Sequence, residues 1–91
     1  EIDTLAEKGI LISLKIIGMN NGREIGILVF HNGGMVIVCM MEYKCLRKGS
    51  IRNGGGDVGG IIGVEKVGME FVIQTFDSLY YLKVTEAMIM N

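Results

Sequence analysis

Few residues in this chain are equipped for chemistry. A single histidine, His31, two cysteines, Cys39 and Cys45, and three aspartates, Asp3, Asp57 and Asp77, are the main candidates. His31 is followed by Asn32-Gly33-Gly34 with no aspartate beside it, and no Gly-x-Ser-x-Gly elbow occurs. A nucleophile with its base therefore cannot be assembled from sequence neighbours, and His31 reads as an exposed, inert turn residue. The aspartates stand in dissimilar contexts and none forms an acid–base pair. With one imidazole, a structural zinc site would need a further carboxylate or a ligand from a neighbouring chain, so no metal is expected. Gly54-x-Gly56-x-x-Gly59 matches the dinucleotide fingerprint by letter. That fingerprint works only between a strand and a helix N-terminus, and a β-rich stretch follows here. A loop with no cofactor is the expectation, and the chain reads as a non-enzyme.

The charge balance is nearly even: nine Lys+Arg against ten Asp+Glu give a net charge of -1. A surface that binds nucleic acid as a whole carries a basic excess, and this one does not. Locally, Lys44, Arg47, Lys48 and Arg52 fall together with no acid between Glu42 and Asp57. They read either as a solvated strand end or as a patch for phosphate. Two unpaired thiols suit a reducing compartment. On a single strand, Cys39 and Cys45 would share a face at a separation of roughly 20 Å, too far for a disulfide. The localisation expected is intracellular, cytoplasmic or nuclear.

The elements that must position these residues are strands. Apolar residues make up 49% of the 91 residues, 21% are charged, and proline is absent. This excludes a disordered chain. The longest apolar run, Met35–Met41, is too short to span a bilayer as a helix, and no secretory leader is visible. Residues 1–9 predict a short helix with Ile2, Leu5 and Ala6 on one face and Gly9 as its stop. From Ile10 the period is two, with Ile10, Ile12, Leu14 and Ile16 forming the face expected to be buried. Turn chemistry at Gly18–Gly22 leads to a second strand, Arg23–Phe30, then His31–Gly34 turns again. Met35–Leu46 reads as one long strand, with its β-branched run Val36-Ile37-Val38. A glycine-rich loop from Gly49 to Gly60 follows. Ile61–Phe76 is extended and broken or bulged near Gly63 and Gly68, Asp77-Ser78 is a tight connection, and Leu79–Val84 returns. Thr85–Asn91 is a frayed turn or tail. The fold class expected is mainly β in one domain: a short N-terminal helix, then a strongly bent five-stranded antiparallel sheet or small barrel. Seven methionines read as core filler. Apolar area left outside so small a core points to association with other chains.

The order of these elements, and some of the letters, resembles the Sm and Sm-like RNA-binding ring proteins. The family's opening, Leu-Asp-x-Leu, a glycine, then Val-x-Val-x-Leu-Lys, is similar to Ile2-Asp3-Thr4-Leu5, Gly9 and Ile10–Lys15 here. Its first motif resembles Gly22-Arg23-Glu24-Ile25-Gly26-Ile27-Leu28-Val29-Phe30-His31 and Met35-Val36, one residue short before Gly26 and another before Phe30. Its second motif runs without a gap along Ile73–Leu82. The resemblance implies a ring of copies or paralogous subunits, with single-stranded RNA at the inner turns. The positions it designates are His31, Asn32, Met35, Thr75, Phe76, Asp77 and Ser78. Of the family's key residues only Asp77 is intact: His31 stands for an Asp, Val36 for an Asn and Thr75 for an Arg. Stacking and base readout need a π-face with donors and acceptors, so the resemblance implies fold and assembly more than RNA binding.

A second resemblance belongs to another class. Leu11–Ile16, Gly22-Arg23-Glu24, Leu28-Val29 and Gly59–Val64 look like the first strands and flap of retroviral-type aspartic proteases. Those enzymes need Asp-Thr-Gly, because two carboxylates sharing a proton activate the water. Phe30-His31-Asn32-Gly33 stands in that place, so this alternative implies an inactive relative.

Overall fold

Two antiparallel sheets enclose the main core, and the pattern of apolar residues explains why. The computed structural model describes residues 9–18, 22–53 and 56–83. The first sheet is a meander of β1 (Leu11–Gly18), β2 (Glu24–Phe30), β3 (Gly34–Cys39) and β4 (Lys44–Ser50), hydrogen-bonded in that order. Two short strands, β5 (Arg52–Asn53) and β6 (Gly56–Asp57), pair with each other. The second sheet is β7 (Ile61–Val67), β8 (Glu70–Thr75) and β9 (Leu79–Lys83), again in chain order. Ile25, Ile27 and Val29 of β2, with Met35 and Ile37 of β3, meet Ile61, Val64, Phe71 and Ile73 of the second sheet in one buried cluster. Ile51 and Val58 close its end. Fully burying side chains of this size contributes ~1.5–3 kcal/mol each, which is what holds two small sheets together.

The mainly β expectation stands; the barrel does not. Among the described residues there is no closed barrel, and the five expected strands become nine: two long ones are hairpins, and β5 and β6 form within the stretch expected as a glycine-rich loop. Met35–Leu46 is broken by a turn at Met40–Tyr43, where Tyr43 takes a φ of +53°. Ile61–Phe76 reverses at Gly68-Met69, and a bulge lies between Ile61 and Gly63. The helix expected over residues 1–9 and the tail at 85–91 lie outside the described residues, apart from Gly9, which is not helical. No helix occurs among the described residues.

The first strand also departs from its expected facing. A bulge between Leu11 and Ser13 shifts the register against β2. One inserted residue exchanges the two sides of all that follows. Ile12 therefore packs on the main core and Ile17 is buried in it, while Leu14 and Ile16 lie on the far side, each 48% exposed. They share that outer face with Leu28, Phe30 and Val36, which form a second, smaller buried cluster.

The sheets are stitched at one end by the β2–β3 turn. The Ile51 N–H donates to the Gly33 carbonyl at 2.8 Å, and the Ile61 N–H to the His31 carbonyl at 3.0 Å. Gly33 sits at a φ of +93°, and a Cβ there would lie 1.9 Å from the Val58 carbonyl oxygen. Only glycine satisfies both constraints. Gly33→Ala is expected to destabilise the fold by about 3 kcal/mol, from backbone strain and overlap together. A urea midpoint within error of the parent would show that the seam is not held this closely.

Candidate functional site

The resemblance designates two turns, and the fold brings both to the same end. His31 opens the β2–β3 turn. Its backbone N–H donates to the Ile10 carbonyl at 2.8 Å, and its Nδ1 lies 2.9 Å from the Ile61 carbonyl oxygen. A carbonyl oxygen only accepts, so Nδ1 carries the proton in this contact. His31 is thus half-buried and pinned across 30 residues of sequence, not the exposed, inert residue expected. Its ring joins the sheets. Asn32 is exposed, and its Oδ1 accepts the Gly34 N–H at 2.9 Å, which caps the turn.

The second turn connects β8 to β9. Thr75 is buried at 6% exposure, and its N–H donates to the Ser78 carbonyl at 3.0 Å. Its Oγ1 accepts the Ser78 N–H at 3.1 Å and has Asp77 Oδ1 at 3.2 Å and the Ser78 carbonyl at 3.3 Å as targets for its one proton. The position read as a lost arginine is therefore the clamp of its own turn. The clamp presents the two residues between. Phe76 is 79% exposed and Asp77 is exposed beside it. Gly60 lies against the Phe76 ring, and its neighbour Ile61 binds His31, so the two turns adjoin. Gln74, Thr75, Phe76, Asp77, Ser78 and Leu79 line a shallow surface groove here.

Met35 does not belong to this surface. It is 9% exposed and part of the main core, as its opposition to Val29 in the ladder requires. Of the seven designated positions, the surface keeps Asn32, Phe76 and Asp77, with Ser78 half-buried; His31 and Thr75 serve the scaffold.

The cationic residues are spread along one edge. Lys44, Arg47 and Lys48 lie on β4, the last strand of its sheet, and Arg52 just beyond it on β5. The register puts Lys44 opposite Cys39, at the end remote from the turns. Arg47 opposes Ile37 and Lys48 opposes Val36, so the two point to opposite faces. Arg47, Lys48, Gly49, Ser50 and Arg52 rim a groove of about 220 Å³ floored by Met35, Ile37, Ile51 and Leu82. The patch is thus an edge, not a continuous basic plane.

The turn at Met40–Tyr43 sets Cys39 and Cys45 on adjacent strands, not along one strand as expected. Cys39 opposes Lys44 while Cys45 opposes Val38, which places the two thiols on opposite faces, and neither is in a disulfide. Cys39 has a feature that composition does not reveal. The Glu42 backbone N–H and the Arg23 guanidinium hold its thiol below the ordinary range, against the opposing effect of burial. Sequence reasoning missed this because the turn that aims the Glu42 N–H is itself unsignalled. At 2% exposure Cys39 is poorly placed to meet a substrate. Among the described residues no three His, Cys, Asp or Glu side chains group as metal ligands. No helix there is long and apolar enough to cross a membrane.

A depressed thiol value means the fold favours the thiolate. That stabilisation is fully present above the unfolded chain's value and is lost as pH falls through the folded one. In a Cys45→Ser background, thiolate absorbance should therefore rise at lower pH in the folded protein than in urea, and Arg23→Gln should narrow the gap. Coincident curves would remove the donors from around Cys39. For the second turn, Thr75→Val should cost about 1–2 kcal/mol in chemical denaturation, whereas Phe76→Ala should be nearly silent; equal losses would contradict the clamp. Comparison with family models, with curated proteins and with solved structures finds no match to this chain.

Proposed function

We propose that the chain is a non-enzymatic subunit of a larger assembly, related in kind to the Sm-like ring proteins, and that its exposed turn end contacts single-stranded RNA. The observation that carries the reading is Phe76: a large aromatic ring, 79% exposed, presented by a hydrogen-bonded turn with a carboxylate next to it. An aromatic held out of the core on a stiff turn loses little entropy when a base stacks on it. Asp77 supplies an acceptor for a base edge. Arg52 follows Ile51, which is bonded to the same seam, so positive charge for a phosphate stands at this end.

Assembly is supported by the strand edges. No described strand pairs with the outer edge of β9. Exposed strand edges take up further strands unless they are covered, and Leu79 and Tyr81, at 57% and 69% exposure, add apolar surface beside β9. In this reading the partners are copies of the chain or paralogous subunits, joined edge to edge, with no cofactor or metal.

Stacking of one base is worth ~1–3 kcal/mol. Phe76→Ala should therefore weaken oligo-U binding by about 5- to 100-fold while the thermal midpoint holds. Asp77→Ala should relax the preference for uridine over other bases. Unchanged affinity in both variants, measured by fluorescence anisotropy at low salt, would end the RNA reading.

A further inference from the structure

The bulge in β1 decides which side chains turn toward the second sheet. Beyond it, Ser13 stands opposite Val29, Lys15 opposite Ile27 and Ile17 opposite Ile25, and these three partners line the main core. Residues directly opposite in a ladder share a face. Ser13 and Lys15 therefore point to the inter-sheet side, while Leu14 and Ile16 point away from it, half exposed. Without the inserted residue the two apolar side chains would lie inside and the lysine outside. Apolar burial is given up to bring an ammonium and a hydroxyl to this place, and such a departure from binary patterning is expected where a site is built. On β7, which runs beside β1, a second bulge lies between Ile61 and Gly63. Both bulged isoleucines, Ile12 and Ile62, line the same groove of about 420 Å³ as Lys15 and Ser13. Bulges re-aim side chains beside functional sites. Lys15 and Ser13 are half-buried, and neither side chain has a hydrogen-bond or ion-pair partner among the described residues.

We propose that the groove between β1 and β7 binds a small monocarboxylate with an apolar body, of the size of octanoate. The carboxylate pairs with the Lys15 ammonium and accepts the Ser13 hydroxyl proton; the two groups stand two positions apart on one face of one strand. The apolar body lies along Ile12, Ile62 and Val64. Gly63 keeps this floor open, since a Cβ there would meet only the Gln74 side chain, at 3.5 Å. Lys15 is the one cation lining the groove, and the exposed Glu65 lines it too. A second carboxylate on the ligand would therefore meet a like charge. A half-buried ammonium without a partner has lost hydration uncompensated, and the bound carboxylate restores what it lost. A lysine turned inward on an edge strand can instead guard that edge against pairing, and the two roles separate by experiment. The inference does not rest on the RNA reading, because neither Lys15 nor Ser13 belongs to the Phe76 turn.

The test titrates octanoate into the whole chain, up to millimolar concentration, and follows the amide NMR signals of Lys15, Ile62 and Gly63. Those signals should shift, and affinity should rise about two- to fourfold per methylene from butanoate to octanoate. Octanamide, neutral and of equal length, should bind about tenfold more weakly, and so should octanedioate. Lys15→Met keeps the stem and removes the charge; it should lower octanoate affinity about tenfold and leave that of octanamide unchanged. Gly63→Val fills the floor without touching the lysine. It should weaken both ligands about tenfold while circular dichroism stays that of the parent. Equal affinity of the parent for octanoate and octanamide would overturn carboxylate recognition. No shift of these amides with any of the probes would overturn the site itself. If Lys15→Met binds octanoate as the parent does and self-associates in sedimentation, Lys15 is a guard of the edge and the proposal fails.

Discussion

The close approach of the His31–Gly33 turn to the segment between Ile51 and Ile61 is the constraint on which the rest depends. Each sheet alone is a three- or four-strand meander with an apolar face turned toward the other sheet, and such sheets are stable only when that face is covered. Burial of Phe71, Ile73, Ile27 and Ile37 provides the attraction but no unique alignment, since apolar contact is non-directional. The backbone bonds from Ile51 to Gly33 and from Ile61 to His31, with the imidazole reaching the same Ile61 carbonyl, supply the direction. They set where β7 starts relative to β2. That in turn sets where the β8–β9 turn emerges, and hence that Phe76 and Asp77 stand beside Asn32.

The same seam explains why two of the seven residues that resemble a binding motif serve the scaffold instead. His31 and Thr75 satisfy buried or half-buried backbone groups, and leaving such groups unpaired costs more than the bond itself contributes. A residue held for that reason is not available to a ligand without loss of the fold. The exposed neighbours of these two clamps are under no such demand. The surface that can recognise something is therefore made of residues adjacent to the clamps, not of the clamps.

What the sequence reveals follows from how local each signal is. The Asn32-Gly33 reversal is legible because both residues are chosen by backbone geometry within four positions. The Asp77-Ser78 connection is legible for the same reason, and Thr75 three residues before Ser78 is a local hydroxyl-capped turn that the letters do carry. The turn at Met40–Tyr43 is not legible: Met-Met-Glu-Tyr holds no glycine, proline or asparagine, and its reversal follows from pairing of β3 with β4 and from Tyr43 accepting a left-handed backbone. The bulge at Ile12 is equally hidden, because Ile10, Ile12, Leu14 and Ile16 alternate perfectly while the register shift depends on β2. The consequence is large in space. Of the four positions expected inside, Leu14 and Ile16 lie half outside and Ile10 is more exposed still, and both cysteines change their relation to each other. The role of His31 is hidden for the same reason, because its partner is 30 residues away.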